Sequence, residues 1–196
     1  MSDSSAPKLG ERFADALELA FELHRRQTRK GSGIPYIGHL LGVASIVIDG
    51  DGSEDEAIAA LLHDAAEDQG GRETLRRIRD RFGEAVADIV EHCSDHLDEP
   101  APPWRERKES YLVRLEDAPA PALRVSLADK LHNVRAIVLD YRDLGEPLWD
   151  RFNAGREGVL WYYRALAEIF ARRCPGPLAD ELNESVADLE RVVGAP

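Results

Sequence analysis

Leu61-Leu62-His63-Asp64-Ala65-Ala66-Glu67-Asp68 is the stretch on which the reading of this chain turns. An apolar helical segment stops at an adjacent His–Asp pair, and an adjacent Glu–Asp pair follows one turn later. Residues four apart on a helix share a face, so a continuous helix sets Glu67 above His63 and Asp68 above Asp64. One imidazole and three carboxylates then lie within a turn and a half, beside residues that read as core. That much negative charge is costly unless a cation neutralises it. The stretch predicts a metal site with an acid/base carboxylate beside it.

Working outward, Asp49-Gly50-Asp51-Gly52 is a turn, and Ser53 with Glu56 three residues on is a capping box that opens the helix. Ala57, Ile58, Leu61, Leu62 and Ala65 form its core face, and Gln69-Gly70-Gly71 ends it. Upstream, Leu9, Phe13, Leu17, Ala20, Phe21 and His24 fall at helical spacing and predict a helix from about Leu9 to Thr28. It closes on Arg25, Arg26, Arg29 and Lys30, a cluster that suits either a helix C-terminus or an anion-binding patch. Gly31-Ser32-Gly33-Ile34-Pro35-Tyr36 reads as a loop. A second helix, Ile37 to Ile48, carries His39 in its first turn. Residues 1–8 are expected to be a disordered leader.

Downstream, short helices are expected over Glu73–Phe82 and Glu84–Cys93, with Arg72, Arg76, Arg77, Arg79 and Arg81 on a solvated face. His92, Cys93, Asp95 and His96 straddle a helix end, and no second cluster completes a zinc site with them. The prolines before Trp104 interrupt regular helix. Helices resume over Trp104–Glu116 and over Ala122–Tyr141, where Leu123, Leu127, Leu131, Val134 and Val138 repeat on one face. Asp129 lies inside that apolar run and needs a partner. Adjacent helical residues point about 100° apart, so Lys130 is not expected to supply one, whereas Asn133 shares its face. Further helices are expected around Leu148–Phe152, Glu157–Arg172 and Leu178–Val192, with Trp161, Tyr162 and Tyr163 marking an aromatic zone. Strand-like alternation is missing, so the fold class is all-α.

The chain has 196 residues and a formal net charge of −12. Its length suits one domain, and its charge argues against a nucleic-acid partner. An anionic ligand must find local positive charge. Two isolated cysteines, Cys93 and Cys174, fit a reduced, cytoplasmic setting. No apolar run approaches the ~20 residues that span a bilayer.

His39, the pair His63-Asp64, and Asp129 come from three expected helices. With Arg29-Lys30, Pro35-Tyr36-Ile37-Gly38-His39, Ala59 through Asp68, Phe82-Gly83 and Leu127-Ala128-Asp129-Lys130-Leu131-His132-Asn133 in order, the chain resembles the hydrolase domain of RelA/SpoT homologues in the HD superfamily. By size it resembles a small alarmone hydrolase, with a single hydrolase domain over 9–196: a metal core at about 13–140 and C-terminal helices at 145–193. The resemblance implies an HD-domain helical bundle that removes pyrophosphate from the ribose 3′ position of (p)ppGpp or (p)ppApp. It implies Mn²⁺, with Fe²⁺ or Zn²⁺ as other ions suited to such donors. His39, His63, Asp64 and Asp129 match the metal-ligand positions, and Glu67 and Asp68 the acidic pair that assists the attacking water. Arg29, Lys30 and Asn133 match nucleotide contacts; Lys108 and Tyr163 are looser substrate candidates. The chain departs from the family pattern at Leu40, Ala65, Ala66 and Ala136. Other readings are an HD-type phosphatase on a nucleoside monophosphate or an NADPH-like nucleotide, and a catalytically silent nucleotide sensor.

Overall fold

The apolar stripes of the sequence become helices packed around one long central helix in the computed structural model, which describes residues 9–98 and 100–194. The expected leader, 1–8, lies outside the described residues. The first half comprises α1 (Glu11–His24), α2 (Ile37–Asp49), α3 (Glu54–Leu62), the single turn α4 (Ala65–Asp68), α5 (Gly71–Phe82) and α6 (Glu84–Cys93). There follow α7 (Trp104–Asp117), the long α8 (Ala120–Leu144), a 3-10 segment η1 (Glu146–Arg151), α9 (Gly155–Arg173) and α10 (Pro177–Gly194). Among the described residues the only extended pairing is an isolated bridge, Thr28 with Pro35. The all-α reading holds.

α8 divides the core. Its Ala122, Val125 and Ala128 pack into an apolar cluster built from α1 to α6. Its Leu123, Leu127, Leu131 and Val134 pack into a second cluster with α7, α9 and α10. A helix covered on both faces can carry its own polar residues only where they find partners, and Asp129 sits where the two clusters meet.

α3 is enclosed, with Ala57 through Leu62 wholly buried. Its start is set by the expected capping box: Ser53 Oγ accepts from the Glu56 N–H at 3.3 Å, and Glu56 Oε2 accepts from the Ser53 N–H at 2.7 Å. Arg124 of α8 donates to the other Glu56 oxygen at 2.7 Å, tying the cap to the central helix. Ser53→Ala is expected to cost roughly 0.5–2 kcal/mol, read as a lower urea midpoint at unchanged slope.

α1 is shorter than its periodicity suggests, and its buried stripe is Ala16, Leu19, Ala20 and His24. Phe21, expected on that stripe, is 56% exposed. The helix stops because residues 27–36 fold back as a loop: the Arg29 N–H donates to the Ile34 carbonyl and the Tyr36 N–H to the Gln27 carbonyl. His24 closes the corner, stacked on Tyr36 with ring centres 5.5 Å apart. This fold-back turns Arg29 and Lys30 toward α8 instead of leaving them on a helix end.

Candidate metal centre

Three segments bring the expected ligands together: α2 carries His39, the junction of α3 and α4 carries His63 and Asp64, and α8 carries Asp129. His39, His63 and Asp129 form one group, and Asp64 lies beside the two imidazoles. His39 Nε2 lies 3.2 Å from Asp129 Oδ1 and 3.6 Å from Asp64 Oδ2. His63 Nε2 lies 3.0 Å from Asp64 Oδ2 and 3.6 Å from Asp129 Oδ1. Both Nε2 atoms are buried without a hydrogen-bond partner. Donor atoms of His39, His63 and Asp129 all fall within 4.8 Å of one another. Buried polar atoms left orphaned in a protein interior call for a ligand, and mixed imidazole and carboxylate donors suit a first-row divalent ion. These residues fit a metal.

Neighbouring groups aim the donors. The Ala60 carbonyl can only accept, so His63 Nδ1–H donates to it at 2.8 Å and the ring's lone pair is left on Nε2. Tyr36 OH donates to Asp64 Oδ2 at 2.5 Å. Burial, and then the charge of Asp64, push the Tyr36 phenol up, so it stays a donor. Asn133 Nδ2 donates to Asp129 Oδ1 at 2.6 Å, as their shared face predicts.

Lys130 corrects an expectation. Its Nζ lies 2.5 Å from Asp129 Oδ2. The Cα–Cβ vectors do diverge, but a four-carbon stem can bend back. Buried beside the Tyr111 ring 5.0 Å away, the ammonium takes the Asp129 carboxylate as its ion-pair partner. Burial opposes charge on both members, yet the Lys130 charge holds Asp129 well below the usual carboxylate range, and Asp129 holds Lys130 well above the usual amine range. Burial likewise opposes charge on His63, and the Asp64 charge overcomes it, raising the imidazole well above its ordinary value. Buried carboxylates here demand a cation.

The expected helix through the His–Asp pair is interrupted. α3 ends at Leu62 and α4 begins at Ala65, with Asp64 at φ −95°, ψ −4°. Asp68 still follows Asp64 by one hydrogen-bonded turn, its N–H donating to the Asp64 carbonyl at 2.9 Å, whereas the Glu67 carboxylate is drawn away to the loop beyond α6. Glu67 Oε2 accepts from the Asp95 N–H at 2.8 Å, and its other oxygen lies 3.9 Å from both Arg107 and His96. Burial, and then the Asp95 charge, push the Glu67 carboxyl up to about 7. Asp68 Oδ2 accepts from Gln27 Nε2 at 2.7 Å, and burial raises its carboxyl as well.

Beside the centre opens a cavity of about 860 Å³ lined by His39 and by all five expected substrate residues, Arg29, Lys30, Lys108, Asn133 and Tyr163. Arg29 Nη2 donates to Asn133 Oδ1 at 2.9 Å, while its Nη1 is buried without a partner. Lys30 donates to Asn153 at 3.3 Å, and Lys108 is ion-paired with buried Asp95. Asp95 and His96 thus work as a polar brace between Glu67 and α7, and His92 is spent on the Asp88 carbonyl. Sequence reasoning missed Tyr36, Lys130, His132, Arg151 and Asn153. For Lys130 there was a signal: a carboxylate in an apolar run implies a nearby cation. For Arg151 the signal is faint: a Cβ at Gly31, whose φ is +75°, would come within 2.7 Å of the Arg151 side chain.

An HD-domain family model matches residues 16–160 of the chain. A guanosine-3′,5′-bis(diphosphate) 3′-pyrophosphohydrolase, MESH1 of Xenopus tropicalis, is 40% identical over 124 residues, covering 62% of this chain and 66% of that protein. Its Mus musculus counterpart is 38% identical over the same shares. The chain therefore spans just under two thirds of the length of these relatives. The solved structure of a metazoan orthologue of SpoT, described as hydrolysing ppGpp, superimposes with a TM-score of 0.78 over 96% of this chain and 99% of that one. At 24% identity that likeness concerns the fold.

Proposed function

We propose that this chain, which belongs to the HD-domain family, is a manganese-dependent 3′-pyrophosphohydrolase of alarmone nucleotides, releasing pyrophosphate from (p)ppGpp or (p)ppApp. One observation carries the reading. Two buried, unpartnered imidazole nitrogens and Asp129 converge beside a cavity walled by Arg29, Lys30, Lys108 and Lys130, in a protein of net charge −12. An acidic protein that gathers cations around one pocket is suited to a polyphosphate ligand. The activity in the names of its relatives agrees with that chemistry.

In this reading His39, His63, Asp64 and Asp129 hold the ion. A divalent ion there supplies Lewis acidity toward a phosphoryl oxygen and a water of lowered pKa. The chain's own residues do the rest. Arg29 and Lys30 neutralise the phosphates, with the free Arg29 Nη1 available to them. Asn133, already bonded to Arg29, faces the sugar. Lys108 leaves or shares Asp95 to meet the departing pyrophosphate, and Tyr163 closes the wall. Glu67, poised near neutrality, takes the proton of the attacking water, with Asp68 in support. Water adds across the bond to the ribose 3′ oxygen, leaving a 3′-hydroxyl and free pyrophosphate.

The test is product identification from ppGpp and ppApp with purified, manganese-loaded protein and a chelator control. Pyrophosphate with GDP or ADP is expected. Phosphate released from a nucleoside monophosphate or from NADPH, with neither alarmone cleaved, would reject the reading. Arg29→Ala is expected to raise KM about 10–100-fold, since a hydrogen bond to a charged group is worth roughly 1.5–3 kcal/mol. An unchanged KM would remove Arg29 from the phosphate site.

A further inference from the structure

The two candidate imidazole ligands solve one problem in different ways. Each must present an Nε2 lone pair to the centre, so each must carry its proton on Nδ1 and find an acceptor for it. His63 stands at the end of α3, where terminal carbonyls are free of helix bonds, and the Ala60 carbonyl serves. His39 stands in the first turn of α2. Free backbone groups at a helix N-terminus are N–H donors, and none can accept a proton. Its acceptor has to come from elsewhere in the fold.

His132 of α8, three residues after Asp129, fills that place. Its Nδ1 lies 3.0 Å from His39 Nδ1, with the ring centres 4.9 Å apart. Two nitrogens at that separation share one proton. With His39 donating, His132 accepts through Nδ1 and carries its own proton on Nε2. The ring lies against α2 at Gly42, where a Cβ would meet His132 Nε2 at 2.3 Å and Cδ2 at 2.4 Å. The ring is held at Nδ1 by His39 and borders the cavity, so a Cβ at position 42 would push it away from His39. Gly42, one turn after His39, serves as the seat of the ring.

We propose that His132 is a positioning residue that fixes His39 in the metal-binding tautomer, and that Gly42 is the cradle that lets it do so. The inference rests on the metal half of the functional reading and is independent of which nucleotide is cleaved. Its test reads the ion: Mn²⁺ and Co²⁺ dissociation constants by competition with a chelating dye, and the Co²⁺ visible spectrum, on the full chain. His132→Phe keeps the ring volume and removes the acceptor; its affinity is expected to fall about 10–100-fold, the usual loss for a partner of a ligating histidine. His132→Asn offers a side-chain carbonyl at the same point and is expected to recover most of the affinity. Gly42→Ala pushes the ring off and is expected to weaken binding like His132→Phe, with the double variant Gly42→Ala/His132→Asn relieved. A purely structural role would weaken the Phe and Asn variants alike, and that equality would overturn the proposal. Parent-like affinity in His132→Phe would do the same. If that variant does not fold by circular dichroism, a folded Gly42→Ala with unchanged affinity and Co²⁺ spectrum overturns it instead.

Discussion

His63→Ala is expected to lower pyrophosphate release about a thousandfold or more, because Lewis-acid stabilisation is worth several kcal/mol and each 1.4 kcal/mol is a factor of ten. His63 is the donor to remove because its loss is the cleanest. Its ring is buried, its Nδ1 is satisfied by Ala60, and its Nε2 has no other hydrogen-bond duty. Asp129→Ala would also strip Lys130 of its partner. Leaving a buried ammonium unpaired costs roughly 3–5 kcal/mol, so activity lost there would mix chemistry with folding. Titration calorimetry with Mn²⁺ on His63→Ala should show weakened binding, while its helical circular dichroism stays that of the parent. Undiminished activity in a folded His63→Ala protein would remove the metal centre from the mechanism.

Glu67→Gln is expected to lower kcat by about 10²–10⁴, the range for a positioned proton acceptor, with Mn²⁺ affinity unchanged. The amide can still accept from the Asp95 N–H, so the loop beyond α6 keeps its tie. The pH profile carries the sharper signature. Burial and Asp95 push the Glu67 carboxyl from its ordinary 4.5 up to about 7. A raised carboxyl becomes a base only as pH climbs through that value, so kcat/KM of the parent should rise on an acidic limb. The charge of a bound ion lowers the value, which places the limb at or below about 7. The linkage sign runs the other way for stability. The protonated form is favoured by the fold, so its contribution is full below 4.5 and is lost as pH rises through about 7. In Glu67→Gln both the limb and that loss should vanish. A drop of less than tenfold, with a large one in Asp68→Asn, would transfer the role to Asp68.

Much of the fold is legible without coordinates because its causes are local. The apolar spacing along α2, α6 and α8, the capping box at Ser53 and Glu56, and the glycine at Gly83 each act within a few residues, and those elements lie where they are expected. The residue types of the candidate site are legible for the same reason: His63-Asp64 and Asp129 interrupt apolar runs that tolerate no idle charge. Errors arise where a neighbour in space overrides one in sequence. Glu67 was expected over His63 from helical geometry, yet the helix breaks between them, and Asp95 and Arg107 reach Glu67 from 28 and 40 positions away. Lys130 was set aside on the direction of its Cβ, yet burial between two clusters leaves Asp129 as its nearest partner.

From its residues alone this chain is all-helical, acidic, and furnished with imidazoles and carboxylates on core faces, because hydrophobic period and the cost of buried charge are properties of short segments. Which nitrogen of each histidine is left bare is decided only when the chain has folded. So is the partnering of Arg29 with Asn133 across 104 positions, and of His39 with His132 across 93. Those contacts cross between helices, and no spacing rule reaches that far: the acceptor that α2 cannot supply to His39 is contributed by α8.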